Sequence, residues 1–338
     1  MPSSRRRRVV ISGTVVFAAI VTTLVYFIVR PLPVSPTPAH FDCYDLSQGA
    51  YVPIEKPRQV FGIGLSYAAH IEETASSFDP DRAPPVFEKL PSSVVRTDAE
   101  VPMPSRDALI EAADAFEPGL GATLHAEFPN LSALLDYEVE LGFVVLDDID
   151  PSQLDDSNFA PRLGFFIAND VSARSIAILG EGRPNRVAYW GVSKSFPGFT
   201  PIGSRAWVPL TATPNGIPCL EIETLVNGEV RQRQTTNDLI YTPREMLAFV
   251  HEAFPNTALS RGTIVLTGTP GGVAMVTPRW LVRTSNLLRL SRFRKLAAKL
   301  DGDTERFLKA GDRVTVRGQG IGRVNVTIVS PPTEPPVH

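Results

Sequence analysis

Two glutamates at the head of an apolar strand constrain this chain more than any other feature of its sequence. Glu138 and Glu140 open the segment Asp136-Tyr-Glu-Val-Glu-Leu-Gly-Phe-Val-Val-Leu146, whose β-branched and apolar residues are typical of a strand. Side chains two positions apart on a strand project from the same face, so the two carboxylates lie side by side. Their repulsion is costly unless a proton or a cation joins them. The pattern predicts either a solvated strand face or an oxygen-ligand site for a hard divalent cation, Mg²⁺ or Mn²⁺ and less often Ca²⁺.

The charge of the chain is unevenly distributed. Its 338 residues are enough for one large domain or two small ones with a substantial core. Residues 1–30 carry five arginines and no acidic residue, which leaves 28 basic and 36 acidic residues, a net charge of −8, in residues 31–338. Nucleic-acid binding needs a basic face, so no nucleic-acid partner is expected. The only two cysteines, Cys43 and Cys219, are too few for a disulfide scaffold, and the sequence leaves their pairing open.

The N-terminal segment has the length and polarity of a membrane span. Residues 9–29 contain no charge over 21 positions and follow four consecutive arginines, and about 20 apolar residues cross a bilayer as a helix. A cleaved signal has a shorter apolar core of about 7–15 residues, so an uncleaved anchor within residues 1–30 is favoured over an export signal. The arginines predict a cytoplasmic N-terminus and a body on the non-cytoplasmic side of the membrane. A proline-rich linker is predicted over residues 31–57, and a disordered tail over residues 331–338.

Residues 58–330 have the pattern of an α+β body. Short strand-like runs separated by turn residues recur through this range with few helices between them, which favours a large antiparallel or mixed sheet. Residues 105–131 interrupt the pattern with a helical stretch and a Gly/Pro-rich loop, and we interpret them as an inserted lid or cover. Residues 276–306 are a second apparent insertion.

The second insertion is basic and amphipathic. Between residues 279 and 299 it has seven lysines and arginines and no acidic residue, and apolar residues recur at helical spacing from Leu287 to Leu300. Two interpretations are open. The predicted helix either packs on the body with a solvated basic face or rests on an anionic membrane surface near the anchor.

Seven short motifs occur in a fixed order along the body. They are Gly64-Leu-Ser-Tyr-Ala-Ala-His70-Ile-Glu-Glu73, Pro85-Val-Phe-Glu-Lys89, Asp136-Tyr-Glu-Val-Glu-Leu141, Ala168-Asn-Asp-Val-Ser-Ala-Arg174, Ser193-Lys-Ser-Phe196, Val226-Asn-Gly-Glu229 and Thr267-Gly-Thr-Pro270. The ordered set resembles the fumarylacetoacetate hydrolase superfamily, with an acylpyruvase-like C-terminal catalytic domain. This resemblance implies a mixed β-roll, usually dimeric, with one divalent metal in each site. It also implies small oxo-acid substrates that are cleaved, decarboxylated, hydrated or isomerised beside a metal-chelated enolate.

The resemblance assigns the metal to three acidic residues. Glu138, Glu140 and Asp170 match the metal carboxylates of the superfamily. Three carboxylates leave open positions on an octahedral ion, which a 2-oxo acid can fill through its carboxylate and keto oxygens, and the ion then acts as a Lewis acid. For Asp170 taken alone, a turn or helix-cap aspartate is the plain alternative.

Three further positions match catalytic residues of the superfamily. His70 and Glu73 lie three apart on a predicted helix and share a face, and the resemblance implies that they activate the hydrolytic water. An exposed surface pair is the plain alternative. Lys194 matches the lysine whose positive charge stabilises the developing enolate or leaving group.

The predicted substrate-binding residues are Tyr67, Arg174 and Thr269. The planar fork of Arg174 fits a carboxylate bidentately, although the residue is equally suited to holding a dimer or the Asp170 loop. The hydroxyl of Thr269 and nearby amides suit an oxyanion, or else belong to an ordinary strand-end turn. Tyr67 lies in the first motif.

Together these features predict a membrane-anchored, metal-dependent hydrolase that cleaves a C–C bond in acylpyruvate-type or fumarylacetoacetate-type diketo acids. The alternative within enzymes is a decarboxylase or isomerase of unsaturated oxo-diacids. The alternative from another class is a catalytically idle binding module tethered to a membrane, against which the complete residue set argues. The expected partners are a small oxo acid, the membrane and a second copy of the chain in a homodimer.

Overall fold

The computed structural model describes residue 22 and residues 36–74, 78–79 and 82–332. In that part of the chain the helices are α1 (Ala68–Glu73), α2 (Arg106–Phe116), α3 (Leu120–Glu127), α4 (Arg174–Leu179), α5 (Arg186–Ser193), α6 (Pro243–Ala253), α7 (Arg279–Leu287) and α8 (Arg292–Leu300). The strands are β1 (Asp42–Cys43), β2 (Gly49–Pro53), β3 (Val60–Ile63), β4 (Val86–Lys89), β5 (Val94–Arg96), β6 (Ala99–Pro102), β7 (Leu135–Asp136), β8 (Val139–Val145), β9 (Leu163–Asn169), β10 (Ser172–Ala173), β11 (Thr200–Ile202), β12 (Arg205–Pro209), β13 (Gly216–Ile217), β14 (Glu221–Val226), β15 (Glu229–Thr235), β16 (Ile264–Leu266), β17 (Arg313–Gly318) and β18 (Gly322–Val329). Short 3₁₀ helices lie at Pro91–Ser93, Pro151–Asp155 and Thr236–Asp238.

Two sheets organise the body. The larger has the strand order β2-β12-β9-β8-β16-β3-β4, with β11 paired to β5 and β9, and the smaller has the order β15-β14-β17-β18-β6. Strand β8 is antiparallel to β9 and β16, whereas β16 is parallel to β3. The predicted α+β class with a mixed sheet is therefore confirmed.

Strand β8 lies in the middle of the larger sheet and is covered on both faces. All seven of its residues are buried, which explains why its sequence after Glu140 is a continuous apolar run rather than an alternating one. A side chain at Gly142 would place its Cβ 2.6 Å from the ring of Phe166 on β9. The missing side chain thus lets the two strands pair while Phe166 stays in the core.

The predicted transmembrane helix is not supported and is corrected here. Within the described residues, no helix is both long and apolar enough to cross a membrane. The segment that carried the prediction, residues 9–29, lies outside the described residues apart from Thr22. The described residues therefore support the α+β fold and give no support to the preceding membrane helix. The single-pass placement, the membrane partner and the side assigned to the body depended on that helix and have no support either. The predicted tail lies outside the described residues from position 333 onward.

The first insertion forms two helices that join the core. Helix α2 begins after Ser105, whose side chain accepts a hydrogen bond from the Ala108 amide at 3.1 Å. Leu109 on α2 and Leu124 on α3 are fully buried in one apolar cluster. The lid role expected for residues 105–131 stays a prediction.

The second insertion forms two helices instead of the single predicted one. Helix α7 ends at Leu287 and α8 begins after Ser291, whose side chain accepts a hydrogen bond from the Arg294 amide. Between them, Arg289 takes a left-handed backbone conformation, which breaks the helical periodicity. Leu296 on α8 is fully buried, so this helix packs on the body, as the first of the two interpretations expected. Its basic face is only partly solvated, since Arg292 pairs with Glu117 and Lys295 with Glu181.

Cys43 and Cys219 form a disulfide, which answers the question that the sequence left open. Their Cα atoms are 5.1 Å apart across a sequence separation of 176 residues. Strands β1 and β13, which pair in parallel, bring the two residues together. The bond ties the start of the described body to its middle.

Candidate metal centre and catalytic site

Three carboxylates meet where strand β8 begins and the antiparallel strand β9 ends. Glu138 immediately precedes β8, Glu140 lies within it, and Asp170 follows β9. One oxygen of each lies within 4.8 Å of the others, and all three side chains are buried. Antiparallel pairing places Glu140 opposite Ala168, and the Asp170 amide donates to the Glu138 carbonyl at 2.8 Å, which holds the cluster together.

The cluster is surrounded by buried cations. Lys194, at the end of α5, places its Nζ 2.5 Å from Glu138 Oε2 and 2.6 Å from Asp170 Oδ2. Lys89, on β4, bonds to Asp170 Oδ1 and donates to the Phe199 carbonyl at 3.0 Å. Among the described residues Glu140 forms no ion pair within hydrogen-bonding distance, and it accepts instead from the Gly268 amide at 2.7 Å.

The pKa values of the two glutamates of the motif shift in opposite directions. Burial raises the pKa of Glu140 well above its ordinary value, and the charges of Asp170 and Glu138 raise it further. Burial alone would also raise the pKa of Glu138, but the Arg174 and Lys194 cations prevail and lower it. Of these two glutamates, Glu140 is therefore the one whose charged form gains more from an added cation.

The residues present fit a divalent metal ion. Glu138, Glu140 and Asp170 offer only oxygen atoms, which is the donor set that Mg²⁺, Mn²⁺ and Ca²⁺ prefer. Two buried polar atoms beside the cluster, Tyr67 Oη and Asn169 Nδ2, have no hydrogen-bond partner among the described residues.

His70 and Glu73 lie on the one short helix α1 but do not bond to each other. The Glu73 carboxylate accepts from the Gly272 amide at 2.8 Å. The His70 Nδ1 is buried and has no partner in the described part of the chain. Burial lowers the pKa of His70 to about 4, so the imidazole is neutral at neutral pH and can accept a proton. The predicted catalytic roles of both residues stay predictions.

Tyr67 caps the same helix and is fully buried. Burial raises the pKa of its hydroxyl, and the charges of Glu140 and Asp238 raise it further, so the hydroxyl stays protonated. The predicted role of Tyr67 in substrate binding stays a prediction.

Arg174 lies at the start of α4 and is engaged inside the centre. Its Nε donates to Asp136 Oδ2 at 2.7 Å, and its Nη2 bonds to Glu138. In the structure the guanidinium thus links Asp136 to Glu138 of the carboxylate cluster. Its predicted role in substrate binding and the two structural alternatives stay predictions.

Thr269 is also engaged within the protein. Its hydroxyl lies 3.2 Å from the Val139 carbonyl and 2.9 Å from Gln232 Nε2. It is the neighbouring amide of Gly268, within the predicted turn, that reaches the centre. The predicted role of Thr269 in substrate binding stays a prediction.

Three residues of the centre were missed by the sequence argument. Asp136 is fully buried and accepts from Arg174 and from the Ala274 and Met275 amides. Lys89 and Gln232 were missed as well, and both are buried. A signal was present for two of them, since Asp136 lies two positions before Glu138 and Lys89 ends an apolar strand motif.

The chain matches a known family over most of its length. Residues 59–329 match the model of the fumarylacetoacetate (FAA) hydrolase C-terminal family. The chain therefore belongs to this family, which confirms the resemblance drawn from the motifs.

Two relatives in sequence are of moderate identity. An uncharacterized protein of Archaeoglobus fulgidus is 28% identical over 264 residues, covering 77% of this chain and 88% of that protein. The human mitochondrial oxaloacetate tautomerase FAHD2A is 27% identical over 226 residues, covering 66% of this chain and 59% of that protein. The match thus spans less than two thirds of the human enzyme.

Two solved structures share the fold. The fumarylpyruvate hydrolase of Pseudomonas aeruginosa, in complex with Mn²⁺ and pyruvate, has a TM-score of 0.52 and 20% identity, covering 86% of this chain and 100% of that one. A probable 2-hydroxyhepta-2,4-diene-1,7-dioate isomerase of Mycobacterium abscessus has a TM-score of 0.53 and 23% identity, covering 84% of this chain and 79% of that one. The named proteins to which this chain is similar are enzymes, a tautomerase in sequence and a hydrolase and a probable isomerase in fold.

Proposed function

We propose that this protein is a divalent-metal-dependent hydrolase that cleaves a C–C bond in acylpyruvate-type or fumarylacetoacetate-type diketo acids. The observation that carries the proposal is the buried triad of Glu138, Glu140 and Asp170 beside a neutral His70 whose Nδ1 has no partner among the described residues. We propose Mg²⁺ or Mn²⁺ as the ion, and a homodimer as the functional unit.

The residues divide the reaction between them. His70 takes a proton from water, and the oxygen of that water forms a bond to the carbonyl carbon of the acyl group. The C–C bond to the adjacent methylene then breaks, its electron pair passes to the pyruvyl unit, and a proton returns to the methylene carbon. An acylpyruvate thus gives a carboxylic acid and pyruvate, and fumarylacetoacetate gives fumarate and acetoacetate by the same step. A metal ion held by the three carboxylates would supply Lewis acidity at the keto oxygen.

Lys194 stabilises the negative charge that develops on the pyruvyl unit. Its ammonium lies within 2.6 Å of two carboxylates of the centre, so it is held in place before the reaction begins. Tyr67 can donate its unpartnered hydroxyl to the bound oxo acid.

The test uses purified protein stripped of metal and then supplied with Mg²⁺ or Mn²⁺. Loss of the enol absorbance of acetylpyruvate and fumarylacetoacetate is followed, and pyruvate or fumarate is assayed directly. We expect metal-dependent cleavage in which Glu138→Gln lowers kcat/KM at least about 100-fold, while Glu221→Gln, the same change on an exposed strand position, leaves it unaltered. Stoichiometric metal binding without cleavage would contradict the proposal.

A second candidate is a tautomerase or isomerase of oxo acids. It is favoured by the contact of Glu73 with Gly272, which leaves Glu73 unbonded to His70. Hydrolysis would use a His–Glu pair to activate water, whereas proton transfer between carbon and oxygen needs only a single base. The sequence likeness to an oxaloacetate tautomerase points the same way. Accelerated keto–enol exchange of oxaloacetate without cleavage of acetylpyruvate would favour this candidate over hydrolysis.

A further inference from the structure

Arg292, the first residue of α8, places its guanidinium inside the body, where only 12% of the side chain is exposed. Its Nη1 and Nη2 atoms each donate to one carboxylate oxygen of Glu117 at 2.7 Å, which makes a bidentate pair. The Nη1 atom also donates to the Leu179 carbonyl at 3.0 Å and to the Tyr189 hydroxyl at 3.1 Å. The Tyr189 hydroxyl donates in turn to the Glu117 carboxylate. One side chain of the second insertion therefore contacts three other parts of the body.

These three contacts belong to three helices. Glu117 directly follows α2, Leu179 is the last residue of α4, and Tyr189 lies within α5. Carbonyls in the last turn of a helix have no partner inside it, so a cation is favourable at that end of α4. Tyr189 is fully buried, and its ring packs edge-on against Phe116 of α2 with the ring centroids 4.7 Å apart. The guanidinium thus joins α2, α4 and α5 at a single point.

Two of these helices carry cations of the carboxylate centre. Helix α4 begins at Arg174, which bonds to Glu138. Helix α5 ends directly before Lys194, whose Nζ lies 2.5 Å from an oxygen of the same glutamate. The two helices pack against each other, and α8 packs on α4. Arg292 therefore holds both helices at points away from the centre, while their other ends supply its cations.

The helices that connect these points are short. Helix α4 has six residues and α5 has eight, so at a rise of about 1.5 Å per residue they are roughly 9 and 12 Å long. Such rigid elements transmit a shift from one end to the other. A cation stabilises developing charge best when it is fixed in advance, because a mobile one must first reorganise. A misplacement of about 1 Å at a reacting group can lower a rate by about 100-fold.

We propose that Arg292 is a positioning residue of the site, which fixes α4 and α5 and thereby holds Arg174 and Lys194 against Glu138. The proposal rests on the proposed function for the role of Lys194 in the reaction. It gives the second insertion a part in catalysis, although none of the seven motifs lies within residues 276–306. Because Lys194 acts on charge that develops during the reaction, the effect of Arg292 should fall on kcat and not on KM.

The first test measures kcat and KM for cleavage of acetylpyruvate by the Mn²⁺-loaded protein. Arg292→Gln removes the bidentate pair, whereas Tyr189→Phe keeps the buried ring and removes only the hydroxyl that joins α5 to Arg292. We expect kcat to fall about 10-fold in the first variant and about 3-fold in the second, with KM changed by less than about 2-fold in both. A rise in KM as large as the fall in kcat would overturn the proposal.

The matched control is Arg317→Gln, which removes an Arg–Glu contact of 2.5 Å with Glu223 on the smaller sheet. It should leave kcat and KM unaltered. Tyr189→Phe carries the test alone where Arg292→Gln does not fold. An equal loss of kcat in the control would overturn the proposal, as would an unaltered kcat in the Arg292 and Tyr189 variants.

The second test does not depend on the reaction. Hydrogen exchange of backbone amides in α4 and α5 is followed by mass spectrometry. Arg292→Gln should raise the exchange rate in both helices by about 10-fold, as the loss of a charge-assisted contact implies, and the control should leave it unaltered. Unaltered exchange in Arg292→Gln would overturn the positioning proposal, even with acetylpyruvate cleaved. Faster exchange in that variant, with no cleavage by the unaltered protein, would overturn hydrolysis and keep the link between Arg292 and the two helices.

Discussion

Charged side chains in the carboxylate centre and in the second insertion are held in different ways. In the centre, four buried carboxylates face three buried cations, and each cation bonds to at least one carboxylate: the carboxylates are Asp136, Glu138, Glu140 and Asp170, and the cations are Lys89, Arg174 and Lys194. In the insertion, by contrast, the charged pairs Arg292–Glu117 and Lys295–Glu181 are partly exposed. The comparison shows that the charges of the centre are buried and bonded to several partners, whereas those of the insertion pair at the edge of the body.

The largest expected effect lies in the centre. Asp136→Asn removes the charge that pairs with the buried Arg174, and breaking a buried pair by altering one partner costs about 3–5 kcal/mol. Urea denaturation measures the free energy of unfolding. The control Asp147→Asn alters a surface pair with Arg162 at 3.5 Å and should cost under about 1 kcal/mol. Equal losses in the free energy of unfolding for the two variants would show that burial of a charged pair does not determine its contribution to stability.

An intermediate effect on stability is expected for Glu117 at the end of α2, which pairs with Arg292 of the second insertion. Hydrogen bonds from Arg292 lower the pKa of Glu117 to about 2, from an ordinary value of 4.5. A carboxyl with a depressed pKa stabilises the fold above its unfolded pKa, and this contribution disappears as the pH falls from about 4.5 towards 2. We expect about 1–2 kcal/mol to be lost in that window, after allowance for solvent screening.

The measurement is the free energy of unfolding at several pH values for the unaltered protein and for Glu117→Gln. The variant lacks the titrating group, so the difference between the two proteins should shrink as the pH falls below about 4.5. A difference that stays constant with pH would contradict the assignment.

The smallest effect is expected for a pair at the surface of α8. Lys295 lies 2.7 Å from Glu181, whose side chain is 38% exposed, and exposed pairs contribute about 0–1 kcal/mol. A double-mutant cycle with Lys295→Ala and Glu181→Ala measures the coupling, which should weaken further in 1 M salt. A coupling energy above about 2 kcal/mol would contradict this expectation, because it would show that the pair is as strong as a buried one.

The carboxylate centre could be predicted in large part because strand periodicity positions it. Glu138 and Glu140 lie two apart on a buried strand, and the ordered motifs added Asp170 and Lys194. The bonding of Arg174 could not be predicted, because its partner Asp136 is brought close by the pairing of β7 with β10, two strands of two residues each. Such short strands leave no periodic signal in a sequence.

The α+β class was predicted correctly from the recurrence of short strands, but the order of the strands was not predicted. That order depends on long-range pairing, such as β6 with β18, which are separated by most of the body. The helix of the second insertion was predicted as one piece because apolar spacing continues from Leu287 to Leu300. The break at Arg289 depends on a backbone conformation that its residue type does not indicate.

The disulfide gives the molecule a covalent topology that noncovalent packing alone would not. It closes a ring from Cys43 to Cys219 that contains His70, the three metal-site carboxylates and Lys194, whereas Thr269, Lys299 and Arg306 lie outside it. A single peptide cleavage inside the ring leaves one covalent molecule until the bond is reduced. A single cleavage between α7 and α8 instead yields two separate polypeptides, one of which carries Lys299 and Arg306.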